Sequence, residues 1–78
     1  MNAPMFGTWL VEVKEVHPFA IHGDQYFELV VVKSGDSESS LVSLKVPLHA
    51  VKGVVPMAGE KRMLSFLAGQ VTSAKLVT

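Results

Sequence analysis

The residues of this chain best suited to act on a ligand are two aromatics and a few lysines. Tyr26 and Phe19 carry flat π-faces, and unpaired nucleobases stack on such faces at about 1–3 kcal/mol per base. Lys14, Lys33 and Lys45 can line up across the outside of a sheet beside them, where positive charge attracts a phosphate backbone. His22 shares a segment with Phe19 and adds a ring nitrogen able to donate or accept a hydrogen bond. Tyr26, Lys14, Lys45, Phe19, His22 and Lys33 are therefore the candidate nucleic-acid-binding residues. Lys61 and Arg62 form a second small basic cluster. Against this stands an ordinary reading of the same residues. Glu12 and Glu28 fall on the same face as the lysines, and cross-strand Glu–Lys pairs decorate any solvated sheet.

Other chemistries find little support. His17 and His22 lie near Asp24, but no further cluster of His, Cys or carboxylate has ligand spacing, so no metal site is expected. The serines have no elbow motif around them and no pair of acids falls on a predicted cleft, so no catalytic residue is expected either. The glycines stand singly at turns rather than in a phosphate-binding loop. The expectation is a protein that is not an enzyme and carries no cofactor.

Those side chains must be positioned by a small domain. Seventy-eight residues allow one core, since a chain this short hides only about 60% of the surface its unfolded form exposes; residues 1–78 read as one domain. With 49% hydrophobic and 18% charged residues, the composition is that of a folded chain. There is no Cys, so no disulfide or thiolate zinc adds stability. Seven basic and seven acidic residues balance, which counts against strong non-specific binding to polyanions but permits a local basic patch. The longest apolar run, Leu29 to Val32, is four residues, far short of a membrane-spanning helix. No secretory pattern is visible at the N-terminus, and a cytoplasmic location is the expectation.

The elements read as strands. In Thr8 to Val16, Trp9, Val11 and Val13 alternate with polar residues, as in a half-buried strand. Continued alternation would point Glu15 inward and Val16 outward, so either the strand ends near Lys14 or a bulge restores Val16 to the inside. His17 to Asp24 reads as a connecting loop, with Pro18 removing a ladder donor. Tyr26 to Lys33 and Leu41 to Val46 read as a hairpin around the polar loop Ser34 to Ser40. Pro47 and Gly53 bracket one short turn of helix. Pro56 to Glu60 makes a turn into Lys61 to Leu67, and Ala68-Gly69-Gln70 reverses the chain into Val71 to Val77. Five short strands around one core predict an all-β, five-stranded small barrel.

Three meandering strands, a connector with Pro47 and Gly53, the turn Pro56-Met57-Ala58-Gly59-Glu60 and a closing hairpin together resemble the OB-fold. In that pattern a helix or loop plugs the barrel between strands three and four; here only a short turn or 3-10 plug fits, a departure from a full helix, and an SH3-like barrel is the alternative. The resemblance covers Gly7 to Val77 and rests on the order of elements. It implies binding of single-stranded DNA or RNA through the outer face of strands two and three with the loops between strands one and two and between strands four and five, although the latter, Ala68-Gly69-Gln70, is here too short to clamp a strand. Carried over, that face holds Tyr26, Glu28, Val30, Val32, Ser43 and Lys45, with Phe19 and His22 in the loop.

One feature favours a different function. Leu10, Val30, Val32, Met63 and Leu67 fall opposite the expected core, and a small monomer rarely exposes such residues together. Val30, Val32, Met63 and Leu67 are accordingly candidate interface residues for a homo-oligomer or protein partner, in a β-barrel with no nucleic-acid role.

Overall fold

Alternation organises the first half of the longest strand, β1 (Phe6–Ile21). Trp9, Val11 and Val13 are buried, and the residues between them face outward. The computed structural model describes residues 5–34 and 41–77; most of the polar loop expected at Ser34 to Ser40 lies outside them. At Lys14 the phase changes. Val13 pairs with Val31 and Glu15 with Val30 of β2 (Asp24–Lys33), so Lys14 is the additional residue of a β-bulge. The bulge brings Val16 against the core. Of the two outcomes the sequence allowed, the chain takes the bulge and the strand runs on.

The segment from His17 to Asp24 is strand, with a two-residue turn at His22-Gly23, and not the loop expected. Two physical reasons account for the difference. Beyond Val13, whose N–H and carbonyl bond Glu60 and Gly59 just before β4 (Lys61–Leu67), β1 has β2 alone as its neighbouring strand, so Pro18 occupies a position where a missing donor is tolerated. His22 and Gly23 have φ of 51° and 85°, and tight hairpin turns of the type matching strand twist need positive φ at both central residues.

β2 pairs in turn with β3 (Leu41–Pro47), and β4 with β5 (Gln70–Val77) around the turn Ala68-Gly69. The result is one antiparallel sheet in the order β3-β2-β1-β4-β5. Its ends, β3 and β5, come into contact without a hydrogen-bonded ladder, so the sheet curls but does not close into a barrel. Between β3 and β4 a 3-10 turn, Leu48–Val51, starts after Pro47 and places Ala50 and Val51 in the interior, the short plug expected there.

The core is formed by the inward positions of all five strands, among them Val11, Phe27, Leu29, Leu44, Leu64 and Val71. Trp9 and Phe66 meet edge to face, with ring centroids 5.4 Å apart, a geometry that adds to their area burial. Each such side chain contributes about 1.5–3 kcal/mol on leaving water.

Arg62 departs from the sequence reading. It is not part of a surface cluster with Lys61 but is fully buried, at 0% exposure, because the alternation of β4 turns residues 62, 64 and 66 inward. Each nitrogen of its guanidinium makes a hydrogen bond: Nε donates to Glu60 at 2.8 Å, one terminal nitrogen to the Val54 carbonyl at 2.8 Å and the other to the Ala74 carbonyl. The same Glu60 oxygen accepts the Met57 N–H at 2.8 Å. This network ties the connector before β4 to both strands of the last hairpin. Among the described residues no helix is long and apolar enough to cross a membrane.

Candidate functional site

The bulge at Lys14 determines which residues of β1 reach the outer face of its second half. Past it, Glu15, His17 and Phe19 pair with Val30, Glu28 and Tyr26, which pair in turn with Ser43, Lys45 and Pro47 of β3. Three rows therefore cross the face. One is aromatic and proline (Phe19, Tyr26, Pro47), one is charged (His17, Glu28, Lys45), and one is mixed (Glu15, Val30, Ser43).

In the first row the Phe19 and Tyr26 rings stack, with centroids 5.5 Å apart and planes 19° from parallel. Lys45 reaches from β3 to place Nζ 5.3 Å from the Tyr26 centroid, a cation–π contact worth about 0.5–1 kcal/mol where exposed. Tyr26 is thus engaged from the β1 side by Phe19 and from the β3 side by Lys45. The sequence offered Tyr26 and Phe19 as stacking residues, and the structure stacks the two rings on each other. Phe19 lies on the half of β1 that has no second neighbouring strand, so its flank away from Tyr26 faces no other strand.

The charges around this platform are largely committed to one another. Ser43 Oγ donates to Glu28 at 3.0 Å, and the His17 ring nitrogen Nε2 lies 3.0 Å from Glu15 Oε1. Lys45 is the cation that meets the aromatic row.

The remaining candidates are dispersed. Lys14 sits at the bulge and pairs with Glu12 at 3.3 Å. Lys33 pairs in register with Val11 and lays Nζ 5.3 Å from the Trp9 centroid, so it is not on the face of Lys45 as expected. The reason is the period of β2: residue 33 has the parity of the inward Leu29 and Val31. His22 is exposed in the turn at the tip of the β1–β2 hairpin. Among the described residues no group of three His, Cys, Asp or Glu side chains is placed to hold a metal ion.

The apolar candidates divide. Val32 is 6% exposed and offers no open surface; it stands in a central strand between Glu12 of β1 and Leu41 of β3. Val30 is half-buried. Met63 and Leu67 are exposed, and Leu67 pairs with Phe6, the two being 58% and 65% exposed. Met5 is also exposed, and its carbonyl accepts the Gly69 N–H at 3.0 Å, which fixes it beside the same hairpin end. Sequence reading missed Phe6 and Met5 because they precede the first recognisable alternation.

Beyond Tyr26, the aromatic row opens into a cleft of ≈ 410 Å³ between β3 and the start of β5, lined in part by Lys45, Pro47, His49 and Gln70. Sequence reasoning could not find it, because its walls come from β2, β3, the 3-10 turn and the start of β5, which meet only when the sheet curls. No protein-family model, curated protein or solved structure matches this chain.

Proposed function

We propose that this chain is a binding module for single-stranded nucleic acid, built on an OB-type scaffold and using the outer face of β1, β2 and β3. The observation that carries the reading is the stacked Phe19–Tyr26 pair with Lys45 beside it. A π-surface next to a cation is the combination that binds unpaired bases and their phosphates with little regard to sequence. The scaffold reading is supported by the strand order, the bulged central β1 that pairs with both β2 and β4, and the plug between β3 and β4. Phe19 supplies the stacking surface, Tyr26 holds it, and Lys45 contacts phosphate. Lys14 and His22, at the bulge and the hairpin tip, stand toward the margins.

With one cation at the platform and no net charge, affinity depends only weakly on salt. Each phosphate neutralised on a single strand adds about 0.7 to the slope of log K against log salt. Fluorescence anisotropy of a labelled oligonucleotide at low and high salt tests the reading. Binding at low salt with a shallow slope is expected, and no binding at low salt ends it.

The exposed Phe6–Leu67 pair with Met5 and Met63 nearby favours a second reading, self-association through the outer face of β1 and β4. A size measurement across a wide concentration range separates the two. A strict monomer leaves the second without support.

A further inference from the structure

We infer that Pro18 guards the open edge of β1 and keeps a second copy of this chain from adding to the sheet strand against strand, a role separate from either reading of the outer face.

Hairpin geometry determines which backbone groups that edge presents. Ile21 and Asp24 flank the two-residue turn His22-Gly23, and residues flanking such a turn exchange both of their backbone hydrogen bonds. Bonded and non-bonded pairs then alternate along an antiparallel ladder. Phe19 with Tyr26 and His17 with Glu28 fall in the bonded set, so Val16, Pro18 and Ala20 turn their nitrogens and carbonyls away from β2. Val13 gives the same phase from the other end of the segment. Its N–H and carbonyl also point away from β2, to Glu60 and Gly59, and the extra residue at Lys14 makes Val16, rather than Glu15, the next in that phase.

Past Val13, no other strand among the described residues pairs along this edge. The two ends of the sheet, β3 and β5, come into contact where it curls, whereas β1 from Val16 to Ile21 has its edge in solvent, with Pro18 and Ala20 exposed. Unpaired edges recruit further strands, and folded sheets blunt them with charge, bulges or proline. Val16 to Ile21 contains no Lys, Arg, Asp or Glu, so charge does not protect it. Pro18 stands midway between Val16 and Ala20 and has no N–H to offer. In an antiparallel pairing of two β1 edges centred on residue 18, Val16 of each copy meets Ala20 of the other, and Pro18 meets Pro18. At that centre both donors are missing and the two rings abut.

The test is sedimentation of the full chain over a range of concentrations, comparing wild type with Pro18→Thr, which restores the donor with a side chain suited to a strand. The variant is expected to keep its strand signal by circular dichroism and to associate about tenfold to a hundredfold more tightly than wild type, the worth of the two neutral hydrogen bonds regained at the centre. Association through the outer face of β1 and β4 is common to both proteins and leaves that ratio unchanged. Adding Ala20→Pro to Pro18→Thr returns a proline to the edge and is expected to restore wild-type behaviour. Pro18→Val, read in parallel, restores the same donor with a different side chain. Folded variants that associate no more than wild type overturn the inference, as does tighter association that survives Ala20→Pro. Loss of the strand signal in both Pro18→Thr and Pro18→Val overturns it too, since the proline would then serve the fold itself.

Discussion

Arg62 and Lys45 carry the same charge within one small sheet and are put to opposite uses. Arg62 is enclosed, and its guanidinium donates to Glu60 and to the carbonyls of Val54 and Ala74. Lys45 lies on the outer face with its ammonium over an aromatic ring. The side chains suit their places. A planar fork of five donors can satisfy several fixed acceptors at once, while an ammonium on a flexible stem keeps its hydration and its freedom to meet a phosphate. The difference teaches that a balanced charge count says little about what a surface can bind. The only arginine in the chain belongs to the fold, and the positive character of the outer face depends on lysine.

The comparison breaks most visibly at Arg62. Arg62→Ala removes the guanidinium donor from two backbone carbonyls and leaves the Glu60 carboxylate with only the Met57 N–H, and removing one member of a buried pair costs about 3–5 kcal/mol. Urea unfolding is expected to show a fall of that size, a large share of the stability of a domain this small. Arg62→Lys keeps the charge and loses the fork, so it falls between alanine and wild type. A wild-type midpoint in Arg62→Ala would mean that the network carries no stability.

On the other side of the comparison, Phe19→Ala is expected to cost about 1–3 kcal/mol of oligonucleotide affinity, the scale of one stacked base. Phe19 lies at the half-buried margin, outside the core cluster, so the unfolding midpoint moves far less than in Arg62→Ala. Tyr26→Ala removes the brace and also weakens binding, with a larger stability loss because Tyr26 stands between two paired strands. Equal affinity of Phe19→Ala and wild type would remove Phe19 from the interface. Lys45→Ala acts more gently. It is expected to flatten the salt slope by about 0.7, one phosphate on a single strand, with the fold unchanged. An unchanged slope would show that Lys45 meets no phosphate.

These residues differ in how far the sequence disclosed them. The alternation of Trp9, Val11 and Val13 identified core positions that are indeed buried, because a period of two is a local property of a strand. The plug between Pro47 and Gly53 was legible for a similar reason. The course of β1 past Pro18 was not: whether proline breaks a strand depends on whether a neighbour needs its donor, which is a property of the sheet. Arg62 was misread because charge outweighed parity, although the alternation of Leu64 and Phe66 already assigned residue 62 to the inside. Lys33 was placed on the wrong face by disregarding the same parity within β2. The Phe19–Tyr26 contact and the cleft beyond it depend on register and curl, and neither is encoded in any single segment.

The smallest expected effect sharpens the comparison from the hairpin beside the cleft. Ala68 and Gly69 form the β4–β5 turn, and Ala68 has φ of 52°, a left-handed conformation that costs an L-residue about 1–2 kcal/mol. The equivalent position of the first hairpin is His22, also at positive φ. Asparagine accepts that conformation more readily than alanine through its short polar side chain, so Ala68→Asn is expected to stabilise the fold by about 0.5–1 kcal/mol. For a domain of this size that is a rise of roughly 2–8 °C in the thermal midpoint. Because Ala68 lies away from the Phe19, Tyr26 and Lys45 platform, oligonucleotide affinity should stay at the wild-type value. Such a result would show stability moving alone, as in Arg62→Ala but with the opposite sign. A midpoint that falls would mean that the backbone at residue 68 is held by contacts that the larger side chain disturbs.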